Sequence, residues 1–259
     1  TEHGRALARL PLHPRLAHMV AKGGSHAPTL AAILSERDPL RGAPIDLALR
    51  MDAVAGKRTL GEVNHATLAR IRQEAKRLAR GQKTDGPDTL GVLAALAYPD
   101  RVALRRKGDS PRFVMSGGKG AVMPDGDPMA SERLLVATDQ DGDPREARIR
   151  QAVRLSDADL RATFPEQIGW HDVCIWSRRE GRVLTRQQER FGALVLDDRA
   201  WSDASPDEIA LAMLDGVREL GLPWTDAARR LQARVVLLRD EGAALPDFSD
   251  DGLMARLEE

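Results

Sequence analysis

The spacing of apolar residues changes twice along this chain, near Tyr98 and again near Ser205, and those changes constrain the fold more than any single motif. Before Tyr98 the spacing is helical. Leu7 and Leu10, then Leu16, Met19 and Val20, then Leu30, Ile33 and Leu34 recur at three- and four-residue intervals. Gly23-Gly24-Ser25 interrupts the pattern, and Ser25 is positioned to cap the helix that follows. Asp38-Pro39 stops that helix, because a residue before proline avoids the α region. Ile45, Leu47, Leu49 and Val54 predict another helix. Asn64 caps a long one over residues 65–80, with Leu68, Ile71, Ala75 and Leu78 inward and Arg70, Arg72, Lys76, Arg77 and Arg80 outward. Residues 81–87 are polar and turn-rich, and Asp88 or Thr89 opens a helix through Val92, Leu93 and Leu96.

After Tyr98 short apolar runs alternate with turn signals. Val102 to Leu104, Phe113 to Met115, Leu134 to Ala137, Ile149 to Leu155, Val173 to Trp176, Val183 to Arg186 and Leu194 to Leu196 read as strands. Gly108, Gly117-Gly118, Gly126, Gly142 and Gly181 punctuate them. Short strands at this spacing predict a small antiparallel barrel or sandwich. Ser156-Asp157-Ala158-Asp159 starts one brief helix among them. From Ser205 the pattern is helical again. Ser205-Pro206-Asp207-Glu208 is a capping box, with Ile209, Met213, Val217 and Leu220 as the buried stripe and Gly221 as the stop. A last helix over 224–239 is expected to turn Leu231, Val235 and Leu238 inward.

Charge excludes some functions and localises others. Charged residues are 30% of the chain and balance to zero, as expected of a soluble protein with no overall pull toward a polyanion. Locally the balance breaks. Residues 98–123 hold Arg101, Arg105, Arg106, Lys107, Arg112 and Lys119 against Asp100 and Asp109, while residues 197–259 hold fifteen acids against seven arginines. Cys174 is the single cysteine, so no intrachain disulfide or multi-cysteine zinc site can form, which suits the cytoplasm. Its neighbours Val173, Ile175 and Trp176 predict a buried, inert thiol. No signal-peptide pattern opens the chain, and no apolar run is long enough to cross a bilayer. The chain begins without Met and in mid-pattern, and it reads as part of a longer polypeptide.

Nucleotide chemistry is not written here. A phosphate loop needs a hydroxyl after Gly-Lys, yet Gly118-Lys119 is followed by Gly120 and Gly56-Lys57 by Arg58. Asp207-Glu208 belongs to a helix start rather than to a strand end, so it caps instead of holding a metal. The six histidines are scattered, and neither the His13/His18 spacing nor His171-Asp172 makes a metal set. No catalytic or metal-binding residue is assigned. The chemistry left is phosphate contact: Arg101, Arg105, Arg106 and Lys107 surround the first strand, and Lys119 sits in a Gly-rich turn. Aromatic residues are only 3% of the chain, so stacking cannot dominate, and Phe113 is better placed in the core.

Three stretches also carry a family resemblance. Thr1-Glu2-His3-Gly4 with Ala6, Leu7 and Leu10 leads into Pro11-Leu12-His13-Pro14-Arg15-Leu16-Ala17-His18-Met19. Tyr98-Pro99-Asp100-Arg101-Val102-Ala103 follows, then Ser116-Gly117-Gly118-Lys119-Gly120-Ala121. In that order and at those distances they resemble the region behind the motor of HrpB-type bacterial helicases, relatives of the DEAH-box RNA helicases. Leu34-Ser35-Glu36-Arg37-Asp38-Pro39-Leu40 and Arg190-Phe191-Gly192-Ala193-Leu194-Val195-Leu196 extend the likeness over essentially the whole chain.

The resemblance implies a multidomain α+β chain. Residues 1–20 would be the end of a winged helix, 21–97 a helical bundle called the ratchet, 98–200 an OB-like β-barrel and 201–259 a helical extension. It implies single-stranded RNA, or DNA, as partner, and by their charge and position in this sequence Arg101, Arg105, Arg106, Lys107 and Lys119 would grip it. Absent RecA-like motor domains of the same protein would bind ATP and Mg, and this chain alone would hydrolyse none. The reading from a different class is a protein-interaction scaffold whose acidic tail docks on the motors or another partner without touching RNA.

Overall fold

The computed structural model describes residues 1–82, 85–143 and 145–258; Lys83 and Thr84, in the turn-rich stretch expected at 81–87, lie outside the described residues. Contacts divide the chain into two units, residues 1–169 with 190–195, and residues 170–189 with 196–259.

The larger unit opens with six helices: α1 (Glu2–Ala8), α2 (Pro14–Lys22), α3 (Ala27–Ser35), α4 (Leu47–Val54), α5 (His65–Leu78) and α6 (Leu90–Ala97). Most of their ends are where the capping chemistry puts them. The Asn64 side chain accepts from the Thr67 amide at 3.0 Å, and Leu68, Ile71, Ala75 and Leu78 are all buried. Ser25 does not cap α3. Its hydroxyl donates to Asp88 (2.6 Å), and the Asp88 carboxylate takes the His26 amide at 2.7 Å instead. A carboxylate from a distant loop holds both the Ser25 hydroxyl and the His26 amide, because Gly24 and Gly86 let the two loops meet: a Cβ on Gly86 would lie 2.3 Å from the Lys22 carbonyl oxygen.

Five strands then close a barrel in the order β3-β4-β5-β7-β6, formed by β3 (Val102–Arg105), β4 (Arg112–Met115), β5 (Gly120–Val122), β6 (Leu134–Gln140) and β7 (Glu146–Arg154). Two-residue strands β1 (Leu40–Arg41) and β2 (Glu62–Val63) pair among the helices. The barrel is not wholly antiparallel as expected, since β5 and β7 run parallel. A closed ring with an odd number of strands cannot alternate direction all the way round. Phe113, Met115, Ala121, Leu135, Ala137, Ile149 and Ala152 fill its interior. α7 (Asp157–Thr163) follows, capped by Ser156 through the Asp159 amide.

Ile45 joins the barrel core rather than a helix. Its carbonyl accepts from the Ala152 amide (3.1 Å) and its own amide donates to Asp127 (3.0 Å), while Asp46 caps α4. Arg50, 2% exposed, fixes this excursion. It pairs with Asp38 at 2.7 Å and donates to the carbonyls of Pro44 and Asp46.

The smaller unit has the sheet order β10-β9-β8, from β8 (Ile168–Ser177), β9 (Arg182–Phe191) and β10 (Leu194–Ala200), whose residues 190–195 count with the larger unit. These strands form their own sheet, where one β structure over 98–200 was expected. α8 (Pro206–Leu220), α9 (Asp226–Asp240) and α10 (Asp250–Leu257) complete the unit. The α8 capping box forms, and Gly221 ends the helix at φ 81°. The stripes predicted to be buried are covered only in part, with Ile209, Val217 and Val235 half-buried. Met213 and Leu220 are 52% and 71% exposed, and Leu231 and Leu238 are 55% and 52% exposed. α8 buries Ala212, Leu214 and Gly216 instead, because the bare Cα of Gly216 admits the Trp176 ring; a Cβ there would meet it at 2.6 Å. α9 is held by polar groups, with buried Gln232 donating to Phe248 O and Asp250. Cys174 is half-buried rather than buried, and its thiol donates to the Glu208 carbonyl.

Replacing Arg50 by Ala leaves Asp38 and two carbonyls without their donor, and urea denaturation should show a loss of about 3–5 kcal/mol. Burial opposes ionisation of Asp38, but the bonds from Arg50, the Leu40 amide and Gln151 outweigh it and hold its carboxyl below the usual range. The folded state therefore binds this proton less readily than the unfolded chain. The resulting stabilisation is complete above the unfolded value of about 4 and fades as pH falls through the lower folded value. In Asp38→Asn, stability measured across that acid range should fall less steeply than in the wild type.

Candidate nucleic-acid interface

The stretches that stood out in the sequence converge in the larger unit. Arg15, near the start of α2, pairs with Asp100 through both guanidinium nitrogens. The Asp100 carbonyl accepts from the Gly117 amide at 3.0 Å, and the Ser116 hydroxyl donates to the Pro99 carbonyl. Ser116 O in turn accepts from Ala193 N at 2.8 Å. Gly192 must be glycine for this approach, with φ 55° and a hypothetical Cβ only 2.5 Å from Ser116 O. Burial disfavours the charged form of Asp100, yet the bond from Arg15 wins and holds its carboxyl below the ordinary range.

This stitching sorts the five basic residues expected to touch nucleic acid. Arg101 lies over the Tyr98 ring at 4.7 Å and donates to the Thr138 carbonyl. Arg105 donates to the carbonyls of Ala130 (2.9 Å) and Gly108 (3.2 Å), so its guanidinium holds barrel loops together. Arg106 and Lys107 are exposed and make no ion pair among the described residues. The Arg106 guanidinium reaches within 3.8 Å of where a Gly120 Cβ would stand, next to Lys119. Lys119 is half-buried at the turn between β4 and β5, and its charge helps lower the Asp143 carboxyl, which is held down first by the amides of Arg145 and Glu146. The amides of Gly117 and Gly118 are occupied internally, by Asp100 O and Met115 O, so they do not form an anion nest. Phe113 is fully buried and offers no stacking face.

Sequence reasoning missed part of the neighbourhood. A cleft of about 920 Å³ is lined by Arg15, Glu36, Arg70, Glu74, Arg77, Tyr98 and Arg101 among others. Much of its charge is internally matched, since Arg70 meets Glu36 at 3.3 Å and Arg77 meets Glu74. Tyr98 and Arg101 also border a second cleft, with Arg37, Thr138 and Arg150. Burial raises the Tyr98 hydroxyl pKa although Arg101 and Arg15 pull it down. Only the spacing of the α5 arginines had hinted at the first cleft; its other walls come from residues far apart in sequence. Elsewhere His3 Nε2 and His18 Nδ1 lie 2.9 Å apart, and no cluster of three or more His, Cys, Asp or Glu side chains is present among the described residues. No described helix is long and apolar enough to cross a membrane.

Comparison with known proteins follows the same line. No family model matches the chain. The ATP-dependent RNA helicase HrpB of Escherichia coli strain K12 is 28% identical over 271 aligned positions, covering 98% of this chain and 32% of the relative. Two solved structures, the E. coli DExH-box NTPase HrpB and the Escherichia coli DEAH/RHA helicase HrpB, superpose on all of the chain with TM-scores of 0.61 and 0.58 and identities of 28% and 25%. The resemblance read from the sequence therefore extends over the whole chain, which matches a C-terminal portion of these proteins and spans about a third of their length.

The division among the arginines can be measured. Arg105→Ala should lower the stability measured by urea denaturation, because it leaves the Ala130 and Gly108 carbonyls without their donor, whereas Arg106→Ala and Lys107→Ala should leave it unchanged within about 0.5 kcal/mol.

Proposed function

We infer, from kinship along the whole chain with a C-terminal portion of HrpB helicases, that this chain is the nucleic-acid-contacting accessory region of an ATP-dependent RNA helicase. That end-to-end alignment is the observation that carries the reading. Residues 1–20 are read as the end of a winged helix, 21–97 as the ratchet-like bundle, 98–200 as a β region whose five strands up to Arg154 are the OB-like barrel, and 201–259 as the helical extension. RecA-like motor domains of the same polypeptide supply ATP and Mg chemistry, for which this chain has no phosphate loop. A cytoplasmic setting goes with that role.

The contact is electrostatic. Arg106, Lys107 and Lys119 carry the grip, because their charges have no ion-pair partner among the described residues. Arg101 and Arg105 act chiefly by positioning, since each guanidinium is already bonded to main-chain oxygen. Such a surface binds phosphates with little regard for sequence. It holds a strand passively while work done elsewhere moves it.

Fluorescence anisotropy with a labelled single-stranded RNA tests this directly. With about three phosphate contacts, affinity should fall roughly twentyfold between about 50 and 200 mM salt. The combined change Arg106→Ala, Lys107→Ala and Lys119→Ala should flatten that slope. Absence of binding at low salt, or binding indifferent to salt, contradicts the reading.

A further inference from the structure

We propose that the second cleft of the larger unit holds one nucleotide of a bound strand, at a place separate from the basic barrel loops. The cleft measures about 570 Å³ and lies where α3 and the residues after it face β6 and β7. That volume falls within the range of small-ligand pockets, about 300–1,000 Å³. The inference rests on the single-strand reading above but uses none of the loop residues Arg106, Lys107 and Lys119.

Three features of the cleft point to a nucleotide. The first is its charge. Arg37, Arg101 and Arg150 line it together with Glu36, Asp38 and Asp139. Glu36 is taken by Arg70 and Asp38 by Arg50, whereas Arg37 and Arg150 have no ion-pair partner among the described residues. Against Arg37, Arg101 and Arg150 only the Asp139 carboxylate is left without an ion-pair partner among the described residues, so the cleft stays net cationic, which suits a phosphate and opposes a metal ion.

The second feature is Thr138. The residue is 5% exposed, and its Oγ1 is buried without a hydrogen-bond partner. Buried hydroxyls are nearly always paired. Its main-chain oxygen already accepts from Arg101, so only the hydroxyl remains available for a base edge or a ribose oxygen. The third is the planar Arg101 guanidinium, which lies over the Tyr98 ring 4.7 Å from its centre, with Arg15 5.7 Å from the same centre, so that the guanidinium rather than the covered ring is the wall. A base can lie against such a surface. Inorganic phosphate would engage the guanidiniums alone. A nucleotide engages the guanidiniums, the wall and the hydroxyl together.

The experiment uses this chain with labelled single-stranded RNA, adenosine and uridine monophosphates, and inorganic phosphate as probes. Thr138→Val should keep or raise the melting temperature, since the lost hydroxyl has no partner in the fold. It should still weaken RNA binding about three- to tenfold, as should Arg37→Ala combined with Arg150→Ala. A mononucleotide should shift amide resonances of residues 137–139 and bind more tightly than inorganic phosphate. If the cleft variants bind RNA like the wild type while the loop variants lose it, the cleft assignment is wrong and the helicase reading survives. If phosphate alone binds as well as the mononucleotides, the site is a plain anion site and the proposal fails. If the wild type binds no RNA at low salt, the functional reading fails, and the mononucleotide titration then decides the cleft independently.

Discussion

The guanidinium of Arg50 is the constraint around which the larger unit is organised. Burying a charge this completely is costly unless its donors are met, and here Asp38 and the carbonyls of Pro44 and Asp46 meet them. Those bonds set the path of residues 38–46. On that path Ile45 can enter the barrel core beside β7, and Asp46 can cap α4. The Gln151 side chain, from β7, helps keep the same Asp38 carboxylate ionised. A chain segment from among the helices thus completes the wall of the barrel, and the two count as one unit by contact.

The resemblance motifs are explained by the same kind of close packing. Arg15, Asp100, Gly117 and Gly192 come from four separate parts of the sequence, yet each bonds or abuts the next. At Gly117 and Gly192 a side chain would press on a main-chain oxygen, at 3.1 and 2.5 Å. What made these stretches recognisable is therefore a structural junction. Among the cations that make no ion pair within the described residues are Arg106, Lys107 and Lys119 in the barrel loops and Arg37 and Arg150 in the smaller cleft.

Local chemistry was legible wherever a residue's partner lies within one turn. Asn64, Ser156 and Ser205 cap the helices they precede, and Gly221 ends α8, since each of those bonds spans only a few residues. Inward faces were legible for α5, whose apolar stripe is buried within a compact set of helices. For α8 and α9 they were legible only in part, since Ile209, Val217 and Val235 are half-buried while the rest of each stripe is exposed. Periodicity reports that a helix is two-sided but not what covers the apolar side, and in α8 it was a glycine against Trp176 that chose the buried face.

The sequence by itself determined where helix gives way to strand and back, which residues end most helices, where positive charge gathers, and that no phosphate loop is present. It did so because those properties depend on neighbours a few positions away. Folding alone settled that five strands close into a barrel with one parallel pair, that Ser25 donates to Asp88 instead of capping α3, and which basic residues are tied to main-chain oxygen. Those outcomes turn on distances between residues tens of positions apart, and such distances exist only once the chain has folded.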